Sequence, residues 1–187
     1  VSRPVVLAAA LLLVAAAGCG GGGSPTSGGG GGGGGGGTPP AGVIFTPGGT
    51  AGGNAILLTR GTGPDARTLV LEVEAREVSD LYGAYFDLAF PSGVLTYESA
   101  TEGTLLASGG LPTTFQVSAQ DGNLVIGITR LGDVSGADGS GVLLTLRFRG
   151  NGAGTGDLTF SRNRAVDPEG ATVDGLVWVA GRVENRL

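Results

Sequence analysis

Alternation in Leu81-Tyr-Gly-Ala-Tyr-Phe-Asp-Leu-Ala-Phe90 constrains this chain more than any other feature. Tyr82, Ala84, Phe86, Leu88 and Phe90 share one parity, while Gly83, Tyr85, Asp87 and Ala89 share the other. A period of two with one apolar face belongs to a half-buried strand and cannot build an amphipathic helix. Pro91-Ser-Gly93 stops the run, and Val94, Leu95 and Tyr97 resume it, so a turn feeds a second strand.

The same pattern recurs from Val43 onward. Val43–Phe45, Ala55–Leu58, Thr68–Ala75, Val94–Ser99, Thr114–Ala119, Asn123–Arg130, Val142–Arg149, Asp157–Phe160 and Gly175–Ala180 are short apolar or alternating runs between turn residues. In Thr68–Ala75, Leu69, Leu71 and Val73 face inward against Glu72 and Glu74. In Val142–Arg149, Val142, Leu144, Leu146 and Phe148 oppose Arg147 and Arg149. No segment keeps a 3.6-residue period; at most a helical turn is expected near Thr101 to Leu106. About nine strands at this spacing predict an all-β, antiparallel β-sandwich, and residues 43–187 are enough to bury two inner sheet faces.

The N-terminal part is different. Residues 1–18 carry one cation, Arg3, an apolar core from Val5 to Ala17 and small residues, which reads as a signal peptide. The apolar run is shorter than the roughly 20 residues a membrane-spanning helix needs. The segment Leu13-Val-Ala-Ala-Ala-Gly-Cys19 resembles a bacterial lipobox, and Cys19 is the one cysteine in the chain. Lipidation at Cys19 would anchor the mature protein to a membrane from outside the cytoplasm, because two or more acyl chains give stable attachment. Gly20 follows the cysteine where an Asp would resemble an inner-membrane retention signal, so placement at the outer membrane or cell surface is expected. Residues 19–42 then read as a Gly/Pro/Ser/Thr-rich flexible linker. A coil of about 20 residues would span roughly 25 Å on average and about 70 Å at full stretch.

Composition excludes several functions. The chain has no His, which removes the commonest general base and the main zinc ligand. All 11 cations are Arg, and the net charge of −5 leaves no basic footprint for nucleic acid. One Cys allows no intrachain disulfide. The stretch Asp133–Gly139 looks like a calcium loop but lacks a bidentate Glu, since Leu144 stands at the twelfth position. It reads as a hairpin loop. Asp87, Glu98 and Glu102 have no spacing that would pair two of them for glycoside hydrolysis. No catalytic residue, metal ligand or cofactor is expected.

Three segments together resemble the cohesin domain, the jelly-roll module of cellulosome scaffolds. They are Val78–Phe90 with Leu95 after it, Glu102-Gly-Thr-Leu-Leu106, and Gly139-Ser-Gly-Val-Leu-Leu-Thr-Leu-Arg-Phe148. The resemblance covers about Ala55 to Val183 and implies a jelly-roll sandwich that holds a dockerin-like protein partner, in association with polysaccharide-degrading systems. It carries the partner-binding positions of the central strand onto Gly83 and Tyr85, with Asp87 next on the same face. Cohesins bear polar residues at the positions of Gly83 and Tyr85, and an Asp-Pro where this chain has Phe90-Pro-Ser-Gly93.

Two other functions stay open on the sequence. Tyr85, Tyr97 and Trp178 could stack on sugars, as in a carbohydrate-binding module that contacts polysaccharide directly; Trp178, flanked by Val177 and Val179, reads equally as core. A structural envelope lipoprotein without a specific ligand is the third reading.

Overall fold

The computed structural model describes residues 41–187; the expected signal peptide, the expected lipidation site Cys19 and the expected linker up to residue 40 lie outside the described residues. Eleven strands form two sheets. They are β1 (Gly42–Pro47), β2 (Ala55–Arg60), β3 (Thr68–Leu81), β4 (Gly83–Ala89), β5 (Leu95–Glu102), β6 (Thr113–Gln120), β7 (Asn123–Arg130), β8 (Ala137–Gly150), β9 (Gly154–Val166), β10 (Val177–Val179) and β11 (Gly181–Arg186). A six-stranded sheet runs β1-β11-β9-β4-β7-β6, and a five-stranded sheet runs β10-β2-β3-β8-β5. All pairings between these strands are antiparallel except β10 with β2, which is parallel. The helical turn falls at Ser108–Gly110, just beyond the place expected for it. The all-β sandwich is as the sequence leads one to expect, and β11 is the one strand with no counterpart among the runs named above.

The inner faces make one core. Leu69, Leu71, Val73 and Ala75 of β3 are fully buried, as are Leu144, Leu146 and Phe148 of β8 and Leu124 and Ile128 of β7. Phe86 packs edge-on to Phe160 at 5.3 Å and against Trp178 at 5.3 Å, closing the sandwich near the β10 edge. Trp178 is therefore core packing.

Strand limits differ from expectation where the chain kinks. β3 continues past Ala75 because Glu77 and Asp80 take left-handed backbone, φ 46° and 53°, and let it stay paired with β8 through register shifts. The Glu77 amide donates to Ser140 Oγ and the Asp80 amide to Asp138 Oδ1, each at 2.9 Å. Opposite the first shift, Leu143 and Leu144 are both fully buried, which breaks the simple alternation of β8. The central strand is shorter than expected. Leu81 ends β3, and Tyr82 carries the chain to the other sheet, its amide bonded to Val166 and its carbonyl to the Arg130 amide. The run Gly175–Ala180 contributes only Val177–Val179, whereas Gly181–Arg186, with Val183 as its one apolar inward residue, is a strand of its own.

Candidate functional site

Strand β4 lies between β7 and β9, so its outward residues sit at the middle of the six-stranded sheet's outer face. Registered beside them are Asn123, Val125, Gly127 and Thr129 of β7, then Thr114, Gln116, Ser118 and Gln120 of the edge strand β6. This part of the face is uncharged. Tyr85 is opposite Gly127 on one side and Arg164 on the other. The missing side chain at Gly127 leaves room for the Tyr85 ring, since a Cβ there would stand 3.3 Å from Tyr85 Cδ1. Tyr85 and Val125 are 42% and 47% exposed, two large apolar groups left open on a sheet whose other face is packed. Around them lies a shallow concavity of about 750 Å³, with Gln116, Ser118 and Arg162 on its rim.

The three expected partner-binding positions fare differently. Tyr85 is open to solvent as the alternation requires. Gly83 is buried, because Thr129 covers it: a Cβ on Gly83 would meet Thr129 Oγ1 at 2.9 Å. Asp87 lies on the outer face, as its parity requires, but is only 6% exposed, so its carboxylate is covered and not open to a partner. Arg162 reaches over it, with Nε donating to Asp87 Oδ2 at 2.8 Å and Nη2 bonded to the same oxygen; Asn123 Nδ2 donates at 3.2 Å. The bonded Arg162 guanidinium holds the Asp87 carboxyl below the usual carboxylate range; burial opposes this, and Asn123 reinforces it.

Arg162 owes its place to a bulge. Between Asp87↔Ser161 and Tyr85↔Arg164 the register slips, and Arg162 takes φ 47° in the middle of a 13-residue strand. A non-glycine residue in left-handed backbone within a strand re-aims its side chain, here across β4. The sequence gives little notice of this beyond the polar run Ser161-Arg-Asn-Arg164 after Phe160.

Other candidate groups stand apart. Tyr97 packs on Phe148 at 5.9 Å in β5, at the opposite edge of the five-stranded sheet from Trp178, so Tyr85, Tyr97 and Trp178 share no surface. Glu98 pairs with Arg147 at 2.7 Å, and Glu102 accepts a bond from Thr113 Oγ1, both away from Asp87. The Asp133–Gly139 loop is tied to β3, with the Gly136 amide donating to Asp80 Oδ1 at 2.9 Å. Among the described residues no group of three or more Cys, Asp or Glu is placed to hold a metal ion.

No family model matches the sequence, and no curated protein matches it. Solved structures do match. A non-cellulosomal cohesin from the archaeon Archaeoglobus fulgidus aligns with 74% of this chain and 88% of its own, at TM-score 0.52 and 18% identity. The second type II cohesin module of the ScaA scaffoldin of Acetivibrio cellulolyticus aligns with 68% of this chain and 87% of its own, at TM-score 0.57 and 12% identity. The third cohesin of ScaC from the same organism, solved in complex with the ScaB dockerin, aligns with 64% and 90%, at TM-score 0.54 and 16% identity. Residues 41–187 thus form a β-sandwich with the cohesin fold.

Proposed function

We propose that this protein is a lipid-anchored, extracytoplasmic and non-catalytic receptor that captures a dockerin-like protein partner on the outer face of its six-stranded sheet. The observation that carries this reading is the open pair Tyr85 and Val125 at the centre of a concave, polar-rimmed sheet face. Interfaces that hold protein partners have this anatomy of aromatic or aliphatic anchors inside a polar rim. The cohesin fold adds to it, because one of the matching cohesins was solved with a dockerin bound. Cys19 supplies the anchor, and the Gly-rich linker holds the domain off the membrane. Placement at the outer membrane or cell surface would serve capture of secreted, polysaccharide-degrading proteins.

The test is affinity capture with residues 38–187 on beads. The hydrophobic core of the described residues lies within this compact unit, which justifies using it alone. The producing organism's secreted and envelope proteins are passed over the beads. The reading expects retention of a protein that carries a dockerin-like calcium-loop module, released by chelator. It is abandoned if wild type and Tyr85→Ala retain the same proteins, or if nothing is retained.

A further inference from the structure

The outer face has an uneven charge. β6 and β7 present no ionised group on it, and Asp87 of β4 is covered. Beside β4, β9 presents two guanidiniums, Arg162 and Arg164; its other outward charge, Asp157, is paired with Arg182 of β11 at 3.7 Å, and Arg164 has no carboxylate partner among the described residues. Two cations against one carboxylate is a local excess of positive charge on a chain whose net charge is −5.

Arg162 is only half used. A guanidinium carries five N–H donors in a fixed fork. The Nε–Nη2 edge of Arg162 is bonded to Asp87, while Nη1 makes no hydrogen bond among the described residues. The Arg162 side chain remains 74% exposed although its partner Asp87 is 9% exposed. The pair therefore buries its anion and shows its cation. The free end, formed by Nη1 and the second N–H of Nη2, has the geometry that accepts a second carboxylate through two parallel bonds. Such a site is pre-organised, because Asp87 on one side and the bulge on the other fix the guanidinium before anything binds.

We propose that Arg162 is the specificity-determining residue of this face, that Asp87 and Asn123 position it, and that the protein partner meets it with a carboxylate side chain. This deepens the receptor reading and rests on it for the identity of the partner. Asp87 is then a positioning residue and does not touch the partner.

The experiment follows the Arg side-chain Nε–H signals of ¹⁵N-labelled residues 38–187 by NMR. The probe is an N-acetylated ten-residue peptide rich in Asp and Glu, with its Asn/Gln counterpart as control. The expected result is a saturable shift of the Arg162 signal with the acidic peptide and none with the control. Arg162→Gln should weaken binding about tenfold, the loss expected for one charge-assisted contact. Because Arg162→Gln strands the Asp87 carboxylate, the double variant Arg162→Gln/Asp87→Asn is measured too and should bind as weakly while regaining stability. Asp87→Asn alone should broaden the Arg162 signal and weaken the peptide less, a signature that a merely structural role would not give. Equal shifts with both peptides, no shift at Arg162, or stronger response to oligogalacturonate than to the peptide would overturn the proposal. Capture of a protein partner undiminished by Arg162→Gln would overturn it while leaving the receptor reading intact. Peptide binding at Arg162 without any captured partner would sustain it and remove the receptor reading.

Discussion

The ring of Tyr85 rests beside Gly127, the residue opposite it on β7, at a distance that leaves no room for a methyl group without movement. A glycine in a strand interior weakens that strand, so its presence here is explained by the ring it accommodates. Gly127→Ala is expected to leave thermal stability within about 1 kcal/mol of wild type, since Tyr85 can lift toward solvent. Gly127→Val should tilt the ring off the sheet and reduce partner capture. Thermal unfolding alongside bead capture checks both.

Neighbours on β4 separate stability from function. Phe86 is buried between Phe160 and Trp178, and Phe86→Ala should cost about 3–5 kcal/mol by opening a cavity. Tyr85→Ala, one residue away on the exposed face, should change stability by about 0.5 kcal/mol or less yet weaken capture. Urea unfolding of the two variants measures the contrast.

Acid should loosen the candidate face. Asp87 has a folded-state pKa below its unfolded value, so its contribution is fully present above the ordinary carboxylate range and is lost as pH falls through the folded value. Glu184, held low by Arg186, adds with the same sign. The urea midpoint of wild type should therefore drop below the ordinary carboxylate range. Asp87→Asn should show a flatter acid limb, and its difference from wild type should shrink as pH falls. A parallel acid limb in both proteins would show that Arg162 does not hold the carboxylate.

Arg130 supports a different end of the domain. It is 4% exposed and donates to the carbonyls of Leu106 and Ser135 and to Ser108 Oγ at 2.9, 2.6 and 3.1 Å. Arg130→Met would leave the buried Leu106 carbonyl unpaired, at a cost of about 1–3 kcal/mol, whereas the exposed Ser135 and Ser108 can turn to water. The loss should appear as faster amide exchange in the stretches 105–111 and 131–136.

What could be read from the sequence was whatever repeats every two residues. Leu69, Leu71 and Val73, or Leu144, Leu146 and Phe148, announce their strands because each faces one core. The outward place of Tyr85 follows from the same parity. Asp87 shares that parity, yet its burial depends on Arg162, 75 residues later in the chain and displaced by a bulge that no local pattern marks. The extension of β3 was hidden for a similar reason: Glu77 and Asp80 are ordinary polar residues until their backbone turns left-handed. β11 carries no alternating signature because Val183 is its one buried hydrophobic residue, flanked by Arg182 and Glu184.

The most direct test of the account places one bulky charge on each sheet. Val125→Arg fills the concavity on the six-stranded sheet, while Thr145→Arg, on the outer face of β8, does the same on the five-stranded sheet. Binding of the captured partner to each variant is measured by calorimetry. The account expects Val125→Arg to lose at least about tenfold in affinity and Thr145→Arg to match wild type. Unchanged binding by Val125→Arg, with loss by Thr145→Arg, would place the partner on the other sheet and contradict it.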